Sequence, residues 1–150
     1  MEKSLTGSIE INAPVCEVWD AWTTKEGIGK FLAPDCNIEI KPGGKFEIYF
    51  DIDEEYGRRG TEGMIVMAVQ KPKMLSFTWN SPPHLEKTRD QMTHVCLRFE
   101  EISDSKTKLT LTQDGWGEGD VWDEAFNYFK RAWFDIVFPE LKKSLESVTG

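Results

Sequence analysis

The chain has 150 residues, 39% of them hydrophobic, with six Trp and nine Phe. That composition suits one globular domain spanning residues 1–150 and excludes a disordered chain. A formal charge of -8 disfavours a general nucleic-acid binder, because phosphate recognition needs a clustered basic surface.

No stretch approaches the roughly 18 consecutive apolar residues of a membrane span. Met1 to Thr6 shows no basic segment leading into an apolar run, so a cytoplasmic protein with no membrane contact is expected. Cys16, Cys36 and Cys96 are far apart, odd in number and in no metal-ligand spacing. They are expected to be reduced and mostly buried. With only His84 and His94 beside them, no metal and no cofactor is expected.

Ile9 and Ile11 alternate with polar residues in a first strand. Pro14 then starts a helix over about residues 14 to 24, whose Val15, Val18, Trp19 and Trp22 share a face. Thr23 to Gly27 closes it, and Ile28 to Leu32 adds a short helical turn. From Asn37 the period changes to two. Ile38 and Ile40 lead to a Pro42-Gly43-Gly44 turn, and Phe46, Ile48, Phe50 and Ile52 form one face of the next strand. Asp53 to Gly60 is a charged hairpin turn. Thr61 to Gln70 follows as a strand, apolar on both faces from Met64 to Val69, which predicts a central strand covered on both sides. Leu75, Phe77 and Trp79 share a face of the fifth strand, and residues 80 to 90 read as a Pro-rich loop. Val95, Leu97 and Phe99 mark a sixth strand and Leu109 and Leu111 a seventh, with a turn near Asp104 to Lys106. Gly115 to Gly119 breaks the pattern before a long terminal helix. There Trp122, Phe126, Phe129 and Trp133 fall at spacings of four, three and four, forming one aromatic stripe. Pro139 interrupts that helix and predicts a kink near residues 135 to 139, with a break into two helices as the alternative.

This order of elements resembles the helix-grip fold of the START-like superfamily. Pro14, Val18-Trp19, Trp22-Thr23, Gly43-Gly44 before Phe46, Gly63, Pro72 with Leu75, Phe77 and Trp79, and the Thr107-Leu109-Leu111 strand are similar to the Hsp90-ATPase-activator-homologue-like family. The likeness runs from about Ile9 to Leu145. It implies an α+β fold in which a curved antiparallel sheet of about seven strands wraps around a long C-terminal helix, with two short helices after the first strand. Two positions depart from the family pattern. Phe31 stands where members usually have Trp, and Ala132-Trp133 replaces Gly-Trp, placing a methyl group at a close helix–sheet contact that would narrow a cavity.

The resemblance also implies a cavity between helix and sheet that takes a small hydrophobic ligand. Its expected lining is Trp22, Phe31, Phe46, Ile48, Ile65, Met67, Phe77, Trp79, Phe126, Phe129 and Trp133, with Met64 and Met67 as adaptable surface. The opposing reading is that these side chains simply pack the core. A second functional class is a protein-interaction module or homodimer, since the name-giving members stimulate a chaperone ATPase through this domain and a companion. The fold takes up all 150 residues here, so no companion domain is expected. A third class is a cyclase- or dehydratase-like enzyme acting on a bound aromatic or polyketide-like substrate. No nucleophile, phosphate-loop or dinucleotide motif supports it. Glu47 and Tyr49 are expected opposite Phe46 and Ile48, and His94, Cys96 and Arg98 outside the cavity. His84 and Asp114 are the polar candidates for its mouth.

Overall fold

The computed structural model describes residues 3–146. Strand β1 (Leu5–Ile11) leads into helix α1 (Val15–Thr23), which buries Val18, Trp19, Ala21 and Trp22. Thr24 then does two jobs at once. Its backbone N–H bonds to Asp20 O and ends α1, while its hydroxyl accepts from Gly27 N at 3.0 Å and starts α2 (Lys25–Phe31). The expected closing segment is therefore the first turn of a second helix. Gly27 allows the two helices to touch, since a Cβ there would sit 2.5 Å from Asp20 O.

Strands β2 (Asp35–Ile38) and β3 (Phe46–Tyr49) form an antiparallel ribbon. The main sheet contains β4 (Val66–Gln70), β5 (Met74–Trp79), β6 (Thr93–Ser103) and β7 (Lys106–Asp114) together with β1. Its order is β1-β7-β6-β5-β4, every neighbouring pair antiparallel. The ribbon joins this sheet by backbone contacts, with Phe46 N donating to Met64 O at 2.9 Å and Gly43 N to Val66 O at 2.8 Å. The seven described strands thus fall into groups of five and two. A single helical turn, α3 (Glu86–Arg89), lies within the expected 80–90 loop.

The terminal helix continues from α4 (Asp120–Arg131) through a π-helical stretch, Ala132–Val137, into α5 (Phe138–Glu146). Phe138 N bonds to Trp133 O, the five-residue step of a π-helix. Pro139 explains its place. Proline has no N–H to give to the preceding turn, and its ring crowds the carbonyl four residues back. A wider turn just before it relieves that crowding, so the helix neither stops nor splits.

The core lies between this helix and the sheet. Phe46 stacks on Phe77 with ring centroids 4.2 Å apart, and Ile11, Leu75, Leu97, Leu109, Leu111 and Leu141 are fully buried around them. Each such side chain contributes about 1.5–3 kcal/mol by leaving water.

The structure corrects the reading of Met64 to Val69. β4 is the last strand of the five-stranded sheet, with the β2–β3 ribbon bonded along the start of its other edge, and its outer face is open to solvent. Val66 pairs with Phe77, and directly opposed residues share a face. Val66 therefore points inward, and Ile65 (38% exposed) and Met67 (50%) point outward. A register shift between Val66 and Ala68 then returns Val69 to the inner face opposite Leu75. Among the cysteines, Cys36 is buried and Cys96 half-buried, whereas Cys16 is exposed. No helix among the described residues is long and apolar enough to cross a membrane.

Candidate functional site

A cavity of about 340 Å³ opens where the end of β5 meets the π-helical stretch. Its floor is aromatic. The rings of Trp79 and Trp133 lie 5.3 Å apart at 44°, and Phe129 completes the surface one turn earlier on the helix. Leu32, Ala132 and Val137 extend the apolar wall. Phe50 closes one side, edge-on to Trp79 at 6.3 Å.

Trp133 is held in place from beneath. Its indole N–H donates to Oε1 of fully buried Gln113 at 2.8 Å, and Gln113 Nε2 donates to Thr93 Oγ1 at 2.9 Å. Thr93 in turn donates to the carbonyl of Trp79 at 3.3 Å. One buried polar chain thus runs from the Trp133 indole to the backbone of Trp79, and it fixes the orientation of the Trp133 ring.

The roof is the long turn between β3 and β4, and two buried carboxylates organise it. Glu47 accepts from Tyr49 Oη at 2.6 Å, Tyr56 Oη at 2.9 Å and Gly63 N at 2.9 Å. Burial pushes the Glu47 carboxyl up, but the bonds from Tyr49, Gly63 and Tyr56 outweigh it and hold the group below its ordinary value. Glu62 accepts from the backbone N–H groups of Arg59 at 2.8 Å and Gly60 at 2.7 Å. Its carboxyl is likewise lowered, burial being overcome by backbone donors. Arg89 of α3 ties this roof to the next loop, donating to Ser81 O at 2.6 Å and Gly57 O at 2.7 Å and facing Glu62 at 3.6 Å.

Four kinds of polar group face the cavity. Asp51, Glu54, Arg58 and Arg59 form a rim of mixed sign. His84 lies edge-on to Tyr128 with centroids 5.4 Å apart, and burial raises the Tyr128 phenol so that it stays neutral. Thr61 is already committed, accepting from Ile48 N at 2.8 Å and donating to Phe46 O at 3.2 Å. Asn80, only 7% exposed, lines the cavity, and its buried Oδ1 accepts no hydrogen bond.

Of the eleven residues expected to line a cavity, Trp79, Phe129 and Trp133 do so. Trp22, Phe46, Ile48 and Phe77 are sealed in the core, and Phe31 packs edge-on against Trp22 at 4.9 Å. Phe126 turns away to Trp116 at 5.2 Å. Ile65 and Met67 lie on the outer sheet face for the pairing reason given above. His84 reaches the cavity mouth; Asp114 instead sits 3.5 Å from His94 on the far side of the sheet. Among the described residues no three His, Cys, Asp or Glu side chains gather where they could hold a metal ion. Sequence reasoning missed Phe50, Asn80 and Tyr128. Phe50 was legible as a strand aromatic, but neither Asn80 nor Tyr128 sits in a pattern that marks it.

A sequence model of the family described as Activator of Hsp90 ATPase homolog 1-like protein matches residues 12–146. The chain belongs to this family. Solved structures agree with the assignment. A Mesorhizobium loti protein aligns with a TM-score of 0.76 at 22% identity, covering 97% of this chain and 98% of its own. An HSP90 activator from Plasmodium falciparum aligns at 0.72 with 19% identity over 95% and 96%. The Aha1 dimer from Colwellia psychrerythraea aligns at 0.72 with 19% identity over 99% of both chains. Identities this low establish a shared fold and leave function to the site. No curated protein sequence matches the chain. In this member of the Hsp90 ATPase activator homologue-like family, the helix–sheet interface is thus packed solid at the Phe46–Phe77 end and open at the Trp79–Trp133 end.

Proposed function

We propose that the protein binds a small hydrophobic molecule in the cavity between the C-terminal helix and the sheet. The observation that carries this reading is the opening over Trp79, Phe129 and Trp133 in an interface that is elsewhere closely packed. A void of about 340 Å³ falls at the small end of known ligand sites, and an apolar floor with a few polar groups at the rim is the usual composition. The polar chain through Gln113 supports the same reading, since its buried hydrogen bonds hold the Trp133 ring against the backbone of β5 rather than filling the gap. Native mass spectrometry of the purified chain tests it. A co-purifying adduct that is lost on denaturation, and absent from Ala132→Phe, is the expected result. An adduct equally present in Ala132→Phe would contradict the site.

A second reading, a surface for a protein partner or a second copy of the chain, draws on different features. Ile65 and Met67 leave apolar area on the outer face of the sheet. The similar Colwellia structure is described as a dimer and the Plasmodium one as an HSP90 activator. Association that is lost on substituting Ile65 and Met67, with cavity binding intact, would favour it.

A further inference from the structure

We infer that Asn80 is the polar anchor of the cavity, and that the ligand is a planar apolar molecule carrying a hydroxyl or carbonyl oxygen. This rests on the ligand-binding reading and adds the chemistry of recognition.

Among the described residues, two buried side-chain polar atoms lack a hydrogen-bond partner, Trp22 Nε1 and Asn80 Oδ1. Trp22 lies away from the cavity, and Asn80 lines it. An unpaired buried amide oxygen is costly, and native structures seldom keep one without a use. The neighbouring polar side chains show that this fold can satisfy such groups. Ser81 is bonded by Thr88 at 2.8 Å, and Thr61, Thr93 and Gln113 all have partners. Asn80 follows Trp79 directly at the end of β5 and lines the same cavity, its Oδ1 turned away from open space. Its terminal torsion has a broad, roughly two-fold preference, so either end of the amide can be presented. It can donate to a carbonyl or accept from a hydroxyl.

The surroundings narrow the class. A floor of indole and phenyl rings favours a flat apolar body through stacked and edge contacts. The acidic and basic rim residues offset each other, two of each sign, so the depth of the site offers no net charge to an ionic ligand. A charged group beside Trp79 and Trp133 would also lose its hydration without a counter-ion. One neutral oxygen matches one neutral amide.

The test compares naphthalene with 2-naphthol as probes, titrated into the full chain and followed by ¹H–¹⁵N NMR. Wild type is expected to bind 2-naphthol about tenfold more tightly, and Asn80→Leu to bind both alike while melting at or above the wild-type temperature. Asn80→Ala serves as a second variant should the leucine overpack the site. Equal binding of the two probes by wild type, or a preference that survives both substitutions, overturns the anchor and leaves the cavity reading standing. Failure of both probes to bind wild type removes the cavity reading and this inference together.

Discussion

The Trp133 indole N–H donates to Gln113 Oε1 at 2.8 Å, joining the π-helical stretch to β7 inside the core. Gln113→Leu would strand that N–H without a partner, and water cannot reach it to compensate. The expected cost is about 1–3 kcal/mol, read by urea denaturation. Adding Trp133→Phe removes the stranded donor, so the double variant should lose less than the sum of the single changes. Additive losses would show that the bond does not couple the two elements.

Phe77→Ala tests the packed end of the interface. Phe77 is fully buried and stacks on Phe46 at 4.2 Å, so truncation should cost about 3–5 kcal/mol. Binding of an apolar probe by the remaining folded protein should change little, because Phe77 does not line the cavity.

The register of β4 predicts the opposite outcome next door. Ile65→Thr and Met67→Gln alter outward, partly exposed side chains and should shift stability by no more than about 0.5 kcal/mol. Had the two pointed inward, each would cost several times more. Thermal melts of the two variants separate these cases.

Acid should loosen the roof first. Glu47 and Glu62 both have lowered values in the folded protein, in each case because hydrogen-bond donors overcome burial. A lowered folded value means the carboxylates contribute stability above the ordinary unfolded value, near pH 4.3. That contribution is lost as pH falls through the lower folded value. Melting temperatures taken from pH 7 down to 3 should therefore drop most steeply below about pH 4. Glu47→Gln should lower neutral-pH stability and flatten this acid slope. A slope unchanged by that substitution would place the acid sensitivity elsewhere.

These predictions also mark what could be read from residues alone. Leu75, Phe77 and Trp79 alternate with polar or small residues, so period and face were both legible, and the structure buries all three. From Met64 to Val69 every residue is apolar, so alternation carried no information about which side faced the core. Pairing with Phe77 and the shift at Val66 and Ala68 decided it. The aromatic stripe of the last helix was visible, but its two ends serve different partners. Phe126 meets Trp116 while Trp133 meets Trp79, because residues 115–119 bring Trp116 back against the helix. The acidic run from Asp51 to Glu55 is exposed, as its composition suggests, but nothing in the order of residues shows that Glu62 gathers backbone donors. Asn80 was invisible for a similar reason: lack of a partner is a property of its neighbours' positions, not of its place in the chain.

Titration with the neutral fluorescent apolar dye N-phenyl-1-naphthylamine, in wild type and Ala132→Phe, addresses the central claim most directly. Ala132 lines the cavity and is half-buried, so a phenyl group there fills the space while leaving the core untouched. Saturable one-to-one binding by wild type, abolished in a variant that melts at the same temperature, is the predicted result. Equal binding by both proteins, or none by wild type, would contradict a ligand cavity over Trp79 and Trp133.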